Sequence, residues 1–147
     1  MEDFLKEFKV FIDQNLAWGE MDAFNHINNA VYFRYFENVR LEYFQKINLF
    51  SIMQQTGIGP VLASTQCRFR IPLEYPDKIT IGTKVSEMGD DYFVMKYGIY
   101  SHKINKVVAE GEGKIVSFSF QEKKKIFHPS ELKNNIFVLE SEGILIV

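Results

Sequence analysis

Polar and apolar side chains alternate with a period of two through most of residues 61–121, whereas from Ala30 to Phe44 the apolar positions recur at helical spacing. In the helical stretch Tyr32, Phe36, Val39 and Tyr43 form one stripe. Either Asn28 or Asn29 caps its start, and the pattern fades near Lys46 to Asn48. Residues 6–16 alternate well enough for a first strand, and residues 17–27 break the pattern with Gly19, Asp22 and Asn25. Residues 49–59 read as a loop or short helix ending at Gly57-Ile58-Gly59-Pro60. From Val61, one face holds Val61, Ala63, Thr65, Cys67, Phe69 and Ile71, and the other holds Ser64, Gln66, Arg68 and Arg70. Further strands follow at Ile79 to Val85, Tyr92 to His102 and Val107 to Gln121, with turns at Gly89-Asp90-Asp91 and Lys103 to Lys106. Gly111 and Gly113 predict a bulge or bend in the last strand. Pro129 to Lys133 predicts a helical turn capped by Ser130, the run Lys123-Lys124-Lys125 a solvated strand end, and the tail from Ile136 either an added strand or a loose terminus.

One strand, one long helix and then four strands joined by short connections make an α+β protein with an antiparallel sheet. A helix apolar on most sides in its first turns must be wrapped. A curved sheet of about five strands around one central helix, the hot-dog fold, provides that wrapping, and its open edges favour a homodimer or homotetramer. The 14 Phe and 7 Tyr point the same way, because some of so many rings are expected to meet across subunits.

Composition excludes more than it adds. The 147 residues fit one domain, 1–147, able to fold without disulfide or metal staples. Cys67 has no partner cysteine, which points to a reducing, cytoplasmic setting. The start Met1-Glu2-Asp3 does not resemble a signal peptide, and no apolar run has membrane-spanning length. With 17 Lys and Arg against 19 Asp and Glu, nucleic acid is not an expected partner. His26, His102 and His128 show no ligand spacing, so no metal or other cofactor is expected.

The candidate chemistry concentrates in Trp18 to Tyr32. Asp22 precedes a helix whose first amides lack intrahelical partners, so it either satisfies loop amides or faces them across a substrate carbonyl. His26 is a local hydrogen-bonding residue or an orienter and proton donor. Asn28 caps the helix or holds the loop, and Tyr32 on the buried stripe packs in the core or lines a site. Asn25 is a residue that tolerates the left-handed conformation better than other side chains. Glu37 and Arg40 have the spacing of an ion pair. Arg68 and Arg70 share a polar face, suited either to phosphates or to cross-strand acids such as Glu87.

The string Asp22-Ala23-Phe24-Asn25-His26-Ile27-Asn28-Asn29-Ala30-Val31-Tyr32, continuing to Arg40, resembles the start of hot-dog acyl-CoA thioesterases of the 4-hydroxybenzoyl-CoA thioesterase-like group. Phe69 to Asp77, Val108 to Gly111 and Ile115 to Phe118 resemble the group's later strand signatures, so the likeness spans about residues 8–135. It implies that Asp22 is the catalytic carboxylate and that amides at the helix start bind the thioester oxygen. Asn29 is one such donor, with a second near Gly59 or Ser64. His26 resembles a histidine with a catalytic part in acyl-carrier-protein thioesterases. Glu20 departs from the Asp common in relatives. The acidic turn Gly89-Asp90-Asp91 stands where hydroxybenzoyl-specific relatives carry arginines, leaving Arg68 and Arg70 for the nucleotide end of coenzyme A.

The expected function is hydrolysis of an acyl-CoA to free acid and thiol without a cofactor. The substrate is expected to contact Asn28, Tyr32, Gly59, Ser64, Arg68 and Arg70. The alternatives are a hydratase or dehydratase on the same fold, an acyl-carrier-protein thioesterase, and a non-catalytic acyl-thioester binding module.

Overall fold

The computed structural model describes residues 1–147 and bears out the sheet wrapped on a helix. Strands β1 (Val10–Asn15), β2 (Ile58–Phe69), β3 (Lys78–Met88), β4 (Tyr92–Ser101) and β5 (Lys106–Ser119) form one antiparallel sheet in the order β1-β3-β4-β5-β2. Two short strands attach to it: β6 (Lys124–Lys125) pairs with β5, and β7 (Leu145–Ile146) runs parallel to β3. The principal helix α2 (Asn29–Lys46) packs on the inner face, against β1, β3 and, less extensively, β2. Its buried positions include Tyr32, Phe36, Val39 and Tyr43, the stripe read from the sequence, together with Tyr35, Arg40 and Phe44.

Several expectations shift. The chain begins with a helix, α1 (Glu2–Glu7), and the first strand starts only at Val10. The apparent alternation at residues 6–9 arises because Phe4 and Phe8 both turn onto the outer face of the sheet, where they pack with Phe11 and Tyr100. The seat for these rings is a pair of glycines opposite each other, Gly82 and Gly98. A Cβ on either would come within 2.8 Å of a phenyl ring.

Strand β2 starts earlier than Val61, and its register slips between Leu62 and Ser64, so one unbroken alternation from Val61 does not hold. No bulge falls at Gly111 or Gly113. There the missing side chains make room for rings: a Cβ on Gly111 would lie 2.3 Å from Phe36, and one on Gly113 would lie 3.0 Å from the Tyr97 hydroxyl. Phe36 and Tyr97 stack with centroids 4.7 Å apart.

Residues 49–56 form the short helix α3 (Leu49–Thr56). The helical turn expected at Pro129 is the start of a full helix, α4 (Ser130–Glu140), in which Ser130 is the first helical residue and makes no capping bond. Arg40 does not pair with Glu37. Its guanidinium is buried and donates to the Tyr97 hydroxyl at 3.0 Å, while Glu37 pairs with Arg34 at 3.6 Å. No helix is long and apolar enough to cross a membrane.

Candidate active site

The loop between β1 and α2 is built from its own backbone. A 3-10 turn at Trp18–Glu20 leads into an isolated bridge between Met21 and Ile27. Inside that bridge the Asp22 amide donates to the His26 carbonyl at 2.9 Å, and the Asn25 amide donates to the Asp22 carbonyl at 3.0 Å. Asn25 takes φ 62°, the left-handed conformation anticipated for it. One carboxylate oxygen of Asp22, Oδ1, accepts from the Phe24 amide at 2.9 Å, which fixes the side chain and leaves Oδ2 without a hydrogen-bond partner.

At the helix start the choice between two caps is resolved in favour of Asn28, whose Oδ1 accepts from the Ala30 amide at 2.9 Å. Its carbonyl takes the Val31 amide at 2.9 Å, its own amide donates to the Glu20 carbonyl at 3.0 Å, and Ile27 N–H donates to the Leu73 carbonyl at 2.8 Å. Of the amides from Ile27 to Val31, only that of Asn29 has no acceptor. It is an unsatisfied donor at the positive end of an 18-residue helix.

A cavity of about 330 Å³ opens beside this loop. Its polar wall is Asp22, His26, Asn29 and Arg70, and its apolar wall is Phe24, Ile27, Tyr32, Phe69, Ile71 and Pro72. Tyr32 meets Phe69 edge to face at 4.9 Å, and its hydroxyl accepts from the Leu73 amide at 3.3 Å. Burial raises the Tyr32 phenol above its ordinary value, so Tyr32 offers a neutral ring. His26 stands at the rim with Nε2 3.6 Å from Glu74 Oε1, and Arg70 is paired with Glu110 at 3.1 Å.

The structure thus gathers Asp22, His26, Asn29, Tyr32 and Arg70 around one cavity. Other expected site residues lie elsewhere. Asn28 supports the cavity from behind as the cap. Arg68 faces a separate basin of about 580 Å³ with Lys84 and Lys96 on the outer face of the sheet. Gly59 is buried at the far end of β2, where a Cβ would lie 2.6 Å from both Met53 and Phe120, so its glycine serves packing. Ser64 sits in mid-strand opposite Lys114. Neither Gly59 nor Ser64 lines the Asp22 cavity of its own chain. The sequence reading missed Phe24, Ile71 and Pro72 as walls, and Glu74 as the partner of His26. The alternation already put Phe69 and Ile71 on one face, but nothing local marks Phe24 or Pro72 as walls. Glu87, suggested as a partner of the arginines, instead accepts from the Tyr92 hydroxyl at 2.7 Å.

Comparison with known proteins places this architecture. Residues 16–136 match the family model of the thioesterase-like superfamily. The chain belongs to that superfamily. It is 29% identical over 136 residues to the uncharacterised protein YsmA of Bacillus subtilis (strain 168), covering 86% of this chain and 91% of that one. It is 30% identical over 111 residues to a putative esterase of Aquifex aeolicus (strain VF5), covering 71% and 87%. Among solved structures, a thioesterase of Thermus thermophilus complexed with coenzyme A and zinc superposes with TM-score 0.80 at 22% identity, covering 92% and 96%. The superfamily is one of hot-dog folds and thioester hydrolases, and this chain has that fold and belongs to that enzyme class.

Proposed function

We propose that the protein hydrolyses an acyl-CoA to the free acid and coenzyme A, with Asp22 and Asn29 as the catalytic pair. One observation carries the reading: Asp22, with a free carboxylate oxygen, and Asn29, with the one acceptor-free amide between Ile27 and Val31, line the same cavity. In this reading the thioester oxygen takes the Asn29 N–H, which stabilises the negative charge that builds there as the carbonyl carbon becomes tetrahedral. Asp22 either attacks that carbon or takes the proton of the attacking water. The C–S bond then breaks and the thiolate leaves and is protonated; the water route gives the carboxylic acid directly, whereas direct attack leaves a mixed anhydride on Asp22 that a water hydrolyses, releasing the acid and freeing the carboxylate. His26 at the rim orients the substrate or hands that proton to the sulfur. The acyl group lies against Tyr32, Phe69 and Ile71. Arg70 meets the phosphate-bearing arm, and the Thermus relative crystallised with coenzyme A supports that ligand class.

The same reading makes residues 1–147 one domain and the working unit a homodimer. Strand β2 presents a free edge of 12 residues, and Val61, Leu62 and Phe69 on it are 37%, 41% and 41% exposed. Phe69 is also a wall of the cavity, so a second copy paired along β2 closes the substrate space. A cytoplasmic setting suits the unpaired Cys67 thiol, which burial pushes up to about 11 and so keeps unreactive.

The experiment is thiol release from short, long and aromatic acyl-CoAs, run beside acyl-carrier-protein thioesters. Thiol release from acyl-CoA is the expected outcome. Release from the carrier protein alone would move the assignment to that carrier. Hydration of an enoyl thioester without thiol release would make the protein a hydratase, and binding without turnover would make it an acyl-thioester binding module.

A further inference from the structure

Glu20 stands two residues before Asp22 but lines a different hollow, with Ala30, Val31 and Arg34. Its contacts go to α2 instead. The Glu20 carbonyl accepts the amide of the cap Asn28 at 3.0 Å, and its carboxylate Oε1 accepts the hydroxyl of Tyr35 at 3.2 Å. Tyr35 is 0% exposed, and its hydroxyl has no other partner.

Helical side chains lean toward the helix N-terminus. Six residues beyond Asn29, or about 9 Å along the axis at 1.5 Å per residue, Tyr35 therefore reaches back to the loop from the body of the helix. Two tethers from one residue, one to the cap and one to the helix body, fix orientation as well as distance. The segment they hold is a closed unit, because the Met21–Ile27 bridge and the Asp22–His26 hydrogen bond tie it to itself.

We propose that Glu20 and Tyr35 are positioning residues that set the Asp22 carboxylate against the Asn29 amide. The inference rests on the hydrolytic reading above for its effect on rate, though not for the clamp itself. Burial and the neighbouring carboxylate hold the Tyr35 phenol well above its ordinary value, so it remains a donor throughout the working range. A misplaced carboxylate loses transition-state contacts while the substrate still binds, so the loss belongs in kcat and not in KM.

The test compares Tyr35→Phe, Glu20→Ala, the double variant and Glu20→Gln, which keeps an acceptor oxygen for the phenol. We expect kcat to fall about tenfold or more in each of the first two with KM within about twofold. The double variant is expected to be no worse than the poorer single, and Glu20→Gln to recover most of the rate. Amide hydrogen exchange at Asn28 and through residues 21–27 should speed up in Glu20→Ala and not in Glu20→Gln. Additive losses, or full kcat with unchanged exchange, would overturn the clamp. If Tyr35→Phe does not fold, the contrast between Glu20→Ala and Glu20→Gln decides. If the unaltered protein hydrolyses no thioester, the function falls, and the exchange measurement still judges the clamp.

Discussion

Asp22 is held at one oxygen and free at the other, which allows chemistry to be separated from structure at a single residue. Asn in its place keeps an oxygen for the Phe24 amide and loses only the charge. Asp22→Asn is therefore expected to lower kcat at least about a hundredfold with little change in stability. Steady-state rates beside a melting curve check this, and near-normal turnover in the folded variant would remove Asp22 from the mechanism. Glu140 is the opposite case, a buried acid with no part in the site. Its Oε2 accepts from the Tyr43 hydroxyl at 2.6 Å and from the Val85 amide at 2.9 Å. Burial outweighs these bonds and the nearby Lys9 and Lys84, so its pKa lies above the ordinary 4.5. The folded state then binds the proton more tightly than the unfolded chain. Its stabilising contribution is complete below about 4.5 and is lost as pH rises through the raised folded value. Urea midpoints measured upward from pH 4.5 should show this decline in the unaltered protein and a flatter profile in Glu140→Gln.

At the scale of elements, what was legible followed from periodicity. The α2 stripe, its start at Asn28 or Asn29 and the three later strands were all readable, because a half-buried strand and an amphipathic helix leave their period in the sequence. Glu140 shows what was not. It accepts at Val85, on the stretch of β3 between the part paired with β1 and the part paired with β7, and that pairing needs residues more than fifty positions apart. The bulge before Ser64, the turning of Phe8 outward and the pairing of Arg40 with Tyr97 are tertiary in the same sense. The reading of Asp22, His26 and Asn29 survived as a spatial cluster because one short loop carries them, whereas Gly59, Ser64 and Arg68 lie along β2 and depend on how that strand is laid. Gly111 gives a test at this scale. Ala there would press on the Phe36 ring at 2.3 Å, with the Gln66 carbonyl at 3.1 Å behind it. Gly111→Ala is expected to destabilise by about 1–3 kcal/mol through overpacking, measured by denaturant unfolding.

For the whole molecule, the proposed homodimer rests on the free β2 edge. A lysine at Leu62, which is 41% exposed on that edge, would put a charge into any strand-to-strand interface while leaving the isolated chain's core intact. Light scattering is expected to give a dimer for the unaltered protein and a monomer for Leu62→Lys, with hydrolysis falling in step. An active monomer at micromolar concentration would contradict completion of the site by a second copy. The Gly82–Gly98 seat limits what can be built on such a dimer. Sheets stacked face to face stand about 10 Å apart, and α1 with the rings of Phe4 and Phe8 already fills that space over Gly82 and Gly98. Beside them the outer face carries Lys84, Lys96, Glu110 and Glu112. A pair of dimers joined back to back would be held by opposite charges in place of grease, and raising the salt concentration would loosen it long before it unfolded either partner.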